Sequence, residues 1–224
     1  MDSIIEVVRC FENSNIIHVD GVINPTNDIE IIELELIYAD LETVMKRRER
    51  VKKQLKADKS LAKEDLVLEK IEKALNEGKS ARSLELTEEE KDIIKSLSLL
   101  TLKPLMYVAN VDEETIQNPE SNENFKKVKQ YAESQNAKVI PICVKLEEEI
   151  SSIESEEERK EFLEMMGLDK SGLDKLIIAS YDILGLMSYL TVRRNRSKSM
   201  DYKKRNKSSK SGIKDTFRYR KRVY

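Results

Sequence analysis

Apolar positions along the chain follow two rhythms. Residues Ile4 to Val8, broken only by Glu6, form a short run rich in β-branched side chains, as do Leu105 to Ala109 and Lys138 to Cys143. Such runs are typical of strands buried in a sheet. From Ile29 the rhythm turns helical: Ile37, Leu41, Val44, Val51 and Leu55 recur on steps of three, four or seven, with Arg48 standing where the stripe should continue. That spacing predicts the seam of a two-helix hairpin, with Asp28, just after the Pro25 turn, placed to cap its first helix. A second helix is predicted from Glu64 to Asn76 on the stripe Leu68, Ile71 and Leu75, closed by Gly78 as a left-handed cap. Thr87 and Glu90 form a capping box for a third helix carrying Ile93, Ile94 and Leu97.

Beyond the insert, a helix is predicted from Asn124 to Gln135, acidic helices through Glu147 to Ile150 and Glu156 to Met166, and a last helix from Leu173 to Leu184. Strands alternating with helices imply parallel pairing. The fold class is α/β: a partial doubly wound parallel sheet, interrupted by an α-helical hairpin and followed by a disordered basic tail. The expected segments are 1–27 and 101–190 for the sheet body, 28–100 for the insert and 191–224 for the tail. A core strand opening so close to the first residue leaves Ile4 to Val8 as an apolar edge, suited to a separately encoded amino-terminal fragment.

Composition adds a charge asymmetry. The net charge of −2 conceals +12 from Arg193 to Tyr224 and −14 before it, so an acidic body carries a basic tail. With 39% apolar residues in 224 the chain has the means for a modest core, and no run is long and apolar enough to cross a membrane. Cys10 and Cys143 suit a reducing compartment, and the chain reads as cytoplasmic. His18, the only histidine, has no nucleophile or metal ligand at motif spacing and reads as structural. Cys143 reads as a strand-end hydrophobe. The carboxylates of Glu147 to Glu149 and Glu154 to Glu158 read as a solvated face.

The chemistry concentrates at Val108-Ala109-Asn110-Val111-Asp112-Glu113, where an apolar strand stops at an amide followed by carboxylates. An amide and a carboxylate on one turn at a strand's carboxyl end can read the edge of a purine. A phosphate cradle would need a Gly-rich loop ending in Lys and Ser or Thr. The only glycines at that spacing, Gly167 and Gly172, are followed by Leu173 and Asp174.

Taken with Val8-Arg9-Cys10-Phe11-Glu12, Ile16-Ile17-His18-Val19, Asn24-Pro25, Asp28-Ile29-Glu30, Val139-Ile140-Pro141-Ile142-Cys143 and Gly185-Leu186-Met187-Ser188-Tyr189-Leu190-Thr191, this turn resembles the YchF or Obg-like ATPase family up to about Thr191. The resemblance implies a G domain split by a helical hairpin and followed by a TGS domain. It further implies binding and hydrolysis of ATP or GTP with Mg2+, and association with ribosomes. Carried over by residue, Asn110 would bond the base edge and Glu113 would close the Asn-x-x-Glu motif. Val111 and Phe11 would wall the ring, and Cys143, Val144 and Lys145 would supply a backbone loop over it. The family usually has small residues where Val144 and Lys145 stand. Its phosphate loop, switches and magnesium motif precede the segment matched here, so the expectation is base recognition without hydrolysis.

The tail permits another reading. Met200 has one codon and Asp201 begins with G, so a one-nucleotide shift reads Trp there, and the shifted frame around Arg196 to Ser209 resembles the family's TGS domain. Residues from about Val192 are accordingly expected to be an out-of-frame TGS segment. Two further readings come from other classes: a noncatalytic interaction module in which the hairpin docks on a ribosome or protein, and nonspecific RNA binding through the tail, with Tyr202, Phe217, Tyr219 and Tyr224 for stacking.

Overall fold

In a computed structural model, residues 1–12, 23–193 and 196–203 are described. Three parallel strands, β1 (Ile4–Arg9), β2 (Leu105–Asn110) and β3 (Lys138–Ile142), lie side by side in that order. The register aligns Val8 with Ala109, Arg9 with Asn110, and Asn110 with Ile142. All three carboxyl ends therefore finish at one edge of the sheet. Alternation sends Val8, Tyr107, Ala109 and Val139 to one face, where they pack with Ile29 of α1 (Pro25–Leu55) and with Phe125, Val128 and Ala132 of α4 (Glu123–Ser134). The other face meets the start of α7 (Gly172–Ile183), where Gly172 stands against Ile142.

The insert between β1 and β2 builds its own core. Ile37, Val44 and Val51 of α1 interlock with Val67, Leu68, Ile71 and Leu75 of α2 (Ala62–Asn76), and Ile94 of α3 (Glu88–Ile94) completes the cluster. Gly78 adopts φ +72°, and the amide of Lys79 bonds Ala74 O at 2.9 Å, a left-handed helix stop. The capping box forms in both directions, Glu90 N to Thr87 Oγ1 at 3.2 Å and Thr87 N to Glu90 Oε2 at 2.7 Å.

Two expectations change. Asp28 does not cap α1: the helix starts at Pro25 after Asn24, and Asp28 lies within its first turn, where a carboxylate still faces the positive helix end. Arg48 does not break the seam, because it turns to three carboxylates on α2 and leaves the apolar stripe to its neighbours.

Further along lie α5 (Val144–Ser152) and α6 (Glu156–Met165). Residues from Tyr181 form a separate unit containing the antiparallel hairpin of β4 (Leu186–Arg193) and β5 (Arg196–Lys203). Regular pairing thus reaches Lys203, within the stretch expected to be disordered. His18 and residues 204–224, with Phe217, Tyr219 and Tyr224, lie outside the described residues. Among the described residues no helix is long and apolar enough to cross a membrane.

Candidate functional site

The three strand ends bring Phe11, Asn110 and Cys143 to one rim because the register is fixed by main-chain bonds that continue past the strands. Cys10 N donates to Asn110 O at 2.8 Å, and Val111 N to Ile142 O at 2.9 Å. Asn122 Nδ2 adds a clamp on Cys10 O at 3.0 Å while its Oδ1 caps α4 through Phe125 N.

Asn110 is half-buried at the end of β2, and its Oδ1 accepts from Val144 N at 3.2 Å. Val144 and Lys145 are not an irregular loop: they open the first turn of α5, behind Cys143 at the N-cap position. The first amides of a helix lack intrahelical acceptors, so Asn110 satisfies one from across the rim and ties β2 to α5. Its Nδ2 is left as a donor.

The carboxylates of the turn divide their work. Asp112 Oδ1 accepts from Thr115 N at 2.8 Å and from Thr115 Oγ1 at 2.6 Å, so it holds the turn. Glu113 instead approaches Lys145 Nζ at 2.7 Å, with the lysine side chain 71% exposed. That contact pushes the Lys145 ammonium above its ordinary range. An ion pair this open to solvent exchanges readily with a competing donor.

Phe11 sits at the rim with the Arg9 guanidinium 4.8 Å from its ring centre, and Arg9 Nε donates to Phe11 O at 3.2 Å. The guanidinium stacks over the ring in cation–π geometry. Val111 and Cys143 are buried in the core cluster at 2% and 3% exposure, so their side chains shape the rim from beneath. Burial pushes the Cys143 thiol up and takes the Cys10 thiol to about 12, which keeps both sulfurs protonated and unreactive. The rim therefore collects Asn110, Glu113, Lys145 and the Arg9–Phe11 pair. Arg9 is the member sequence reasoning missed, although it lies two residues before Phe11 on the same strand end. A cleft of about 410 Å³ lies elsewhere, lined by Glu30, Glu33, Lys79, Ser80, Tyr131 and Gln135, where the insert meets the body.

No protein-family model matches the chain. Among curated proteins it is 47% identical over 205 residues to the ribosome-binding ATPase YchF of Bacillus subtilis, covering 91% of this chain and 56% of that one. It is 44% identical over 191 residues to the protein of the same name from Escherichia coli O157:H7, covering 85% and 52%. Among solved structures, the Schizosaccharomyces pombe YchF GTPase superposes with a TM-score of 0.78 at 32% identity, over 91% of this chain and 55% of that chain. The chain spans about half the length of the curated relatives it matches.

Proposed function

The chain belongs to the YchF family, and on that premise we propose that its rim at Asn110 is the base-recognition end of a purine-nucleotide site. The observation that carries this reading is the Asn110–Val144 bond, which orients the Asn110 amide at the edge of a parallel sheet where Glu113 and the stacked Arg9–Phe11 pair also lie. Open α/β sheets hold ligands at this edge. Asn110 Nδ2 would donate to the ring, Glu113 would accept from an exocyclic amino group after releasing Lys145, and Phe11 would flank the ring plane. Asn-x-x-Glu makes no fixed demand for guanine, so ATP and GTP are both accepted.

The donor set fits a base and not a triphosphate. These 224 residues hold no Gly-rich loop ending in Lys and Ser or Thr. No hydrolytic step is derived from this chain's own residues. Ring contacts alone leave few interactions to offset immobilisation, so affinity stays in the millimolar range or weaker. Isothermal titration of the 224-residue chain with adenosine, ATP and GTP is the test. Similar, millimolar binding of all three, lost in Asn110→Ala, is expected; micromolar ATP binding would sink the reading.

The relatives' name also supports a ribosomal role. Co-sedimentation of this chain with purified ribosomes, retained after deletion from Arg193 onward, would place that contact on the body or the hairpin and not on the tail.

A further inference from the structure

A surface helix ordinarily shows one apolar stripe, used to pack. α1 shows two. Its seam toward α2 is made by Ile37, Val44 and Val51, all at 2% exposure or less. A second set, Ile31, Leu34, Tyr38 and Met45, is 44%, 44%, 66% and 46% exposed. At about 100° per residue these four fall within an arc of about 60°, roughly 120° round the helix from the seam, and run for about 21 Å. Isolated exposed apolar residues need no explanation, but an aligned row on a long helix does.

The charges that α1 itself sets beside the row have one sign. From Pro25 to Met45 the chain has six Asp or Glu and no Lys or Arg. Glu35 and Glu42 lie next to the row on the side away from the seam, and Glu30 lies on the other side; all three are exposed. Glu42 pairs with Lys46 one turn on, and Glu30 shares a cleft with Lys79, which itself pairs with Glu77. An apolar row between acidic margins matches a helix with Leu or Ile on one face and Lys or Arg at its edges. It repels a phosphate backbone. A second copy fits poorly: beyond Met45 the row's positions pass to Glu49 and Lys52, so an antiparallel pair has a short apolar overlap and a parallel pair sets acid against acid.

We propose that the Ile31–Leu34–Tyr38–Met45 face of α1 is a docking strip for a Lys/Arg-rich amphipathic helix of a protein partner. The strip acts independently of the nucleotide rim, since none of its residues belongs to that rim.

The test is a fluorescence-anisotropy titration of the 224-residue chain with a labelled helical peptide of about 18 residues, Leu spaced i, i+3, i+4, i+7 and flanked by Lys and Arg. A scrambled peptide of the same composition and labelled poly(U) are run beside it. The ordered peptide should bind about ten-fold or more tightly than the scramble and weaken as salt rises. The double variant Leu34→Ser with Tyr38→Ser should lose about ten-fold in affinity with an unchanged circular-dichroism melt. Leu66→Ser, at a 65% exposed position on α2, should change nothing. Equal binding of the scramble overturns the proposal, as does full binding by the double variant. So does tighter poly(U) binding lost in that variant, or a dimer in sedimentation that the variant dissolves.

Discussion

Arg48 Nη1 donates to Glu72 Oε2 at 2.7 Å across the hairpin, and the same guanidinium reaches Glu69 Oε1 at 2.5 Å and Asp65 Oδ1 at 3.2 Å. One fork on α1 thus reads three carboxylates spread over two turns of α2, fixing how far one helix slides along the other. The Arg48 side chain is 13% exposed and its partners Asp65 and Glu72 are 19% and 23% exposed, while Glu69 at 57% stays open to solvent and contributes least. Removing it leaves three acids facing one another. Arg48→Ala should cost about 1–3 kcal/mol in urea unfolding, and Arg48→Lys should recover less than half, because a point charge cannot hold three partners at once.

Asp40 is the other polar anchor of the insert. At 3% exposure it accepts from Leu100 N at 2.8 Å, Thr101 N at 2.7 Å and Thr101 Oγ1 at 2.6 Å, while Thr101 Oγ1 accepts from Ala81 N at 3.1 Å. The chain leaving the insert is thereby tied to α1 at its middle. Asp40→Ala orphans the buried Thr101 amide and the part-buried Leu100 amide and should cost about 2–4 kcal/mol, and Asp40→Asn, which keeps one acceptor, should cost less. Hydrogen exchange at Thr101 reads the loss directly, with faster exchange in both variants.

How much of this was legible in sequence depended on distance along the chain. The capping box at Thr87 and Glu90 and the left-handed stop at Gly78 are local, need no knowledge of the fold, and stand where the spacing placed them. The role of Arg48 was invisible because its partners are 17 to 24 residues away on another helix. The Asp40–Thr101 tie spans 61 residues. At the rim, Asn110 and Glu113 could be named from their motif. That Asn110 would serve the first amide of α5, and that Asp112 would be consumed by Thr115, required the strand register.

Gly172 and Gly78 separate two reasons for glycine. A Cβ on Gly172 would lie 2.9 Å from Glu147 Oε1 and 2.9 Å from Ile142 Cγ2, where Glu147 holds Gly172 N at 2.6 Å and Leu173 N at 3.1 Å. Gly172→Ala should therefore cost about 1–3 kcal/mol by overpacking and loosen the α7 cap. A Cβ on Gly78 meets nothing within 4 Å, but φ of +72° strains any L residue. Gly78→Ala should cost about 1–2 kcal/mol, and Gly78→Asn less, since Asn tolerates the left-handed region. Thermal melts of the three variants, compared at one pH, check the order.

Glu6 gives the body a pH dependence. It stands on β1 opposite Tyr107, half-buried, within the field of Glu33 and Asp28 of α1, Arg82 of the insert and Tyr107, whose ring meets that of Tyr131 edge to face at 6.3 Å. Burial foremost, then the charge of Glu33, raises its carboxyl to about 7, with Arg82 opposing. Tyr131 Oη donates to Glu33 Oε2 at 2.9 Å. A carboxyl raised on folding favours the protonated native state. The stability it contributes is fully present below about pH 4.5, declines as pH rises, and is gone above about 7. After allowance for solvent screening the swing is about 1–2 kcal/mol. Glu6→Gln should match the parent in urea unfolding near pH 4 and exceed it by that amount near pH 8. A variant equally displaced at both pH values would show that packing, and not the proton, distinguishes the two side chains.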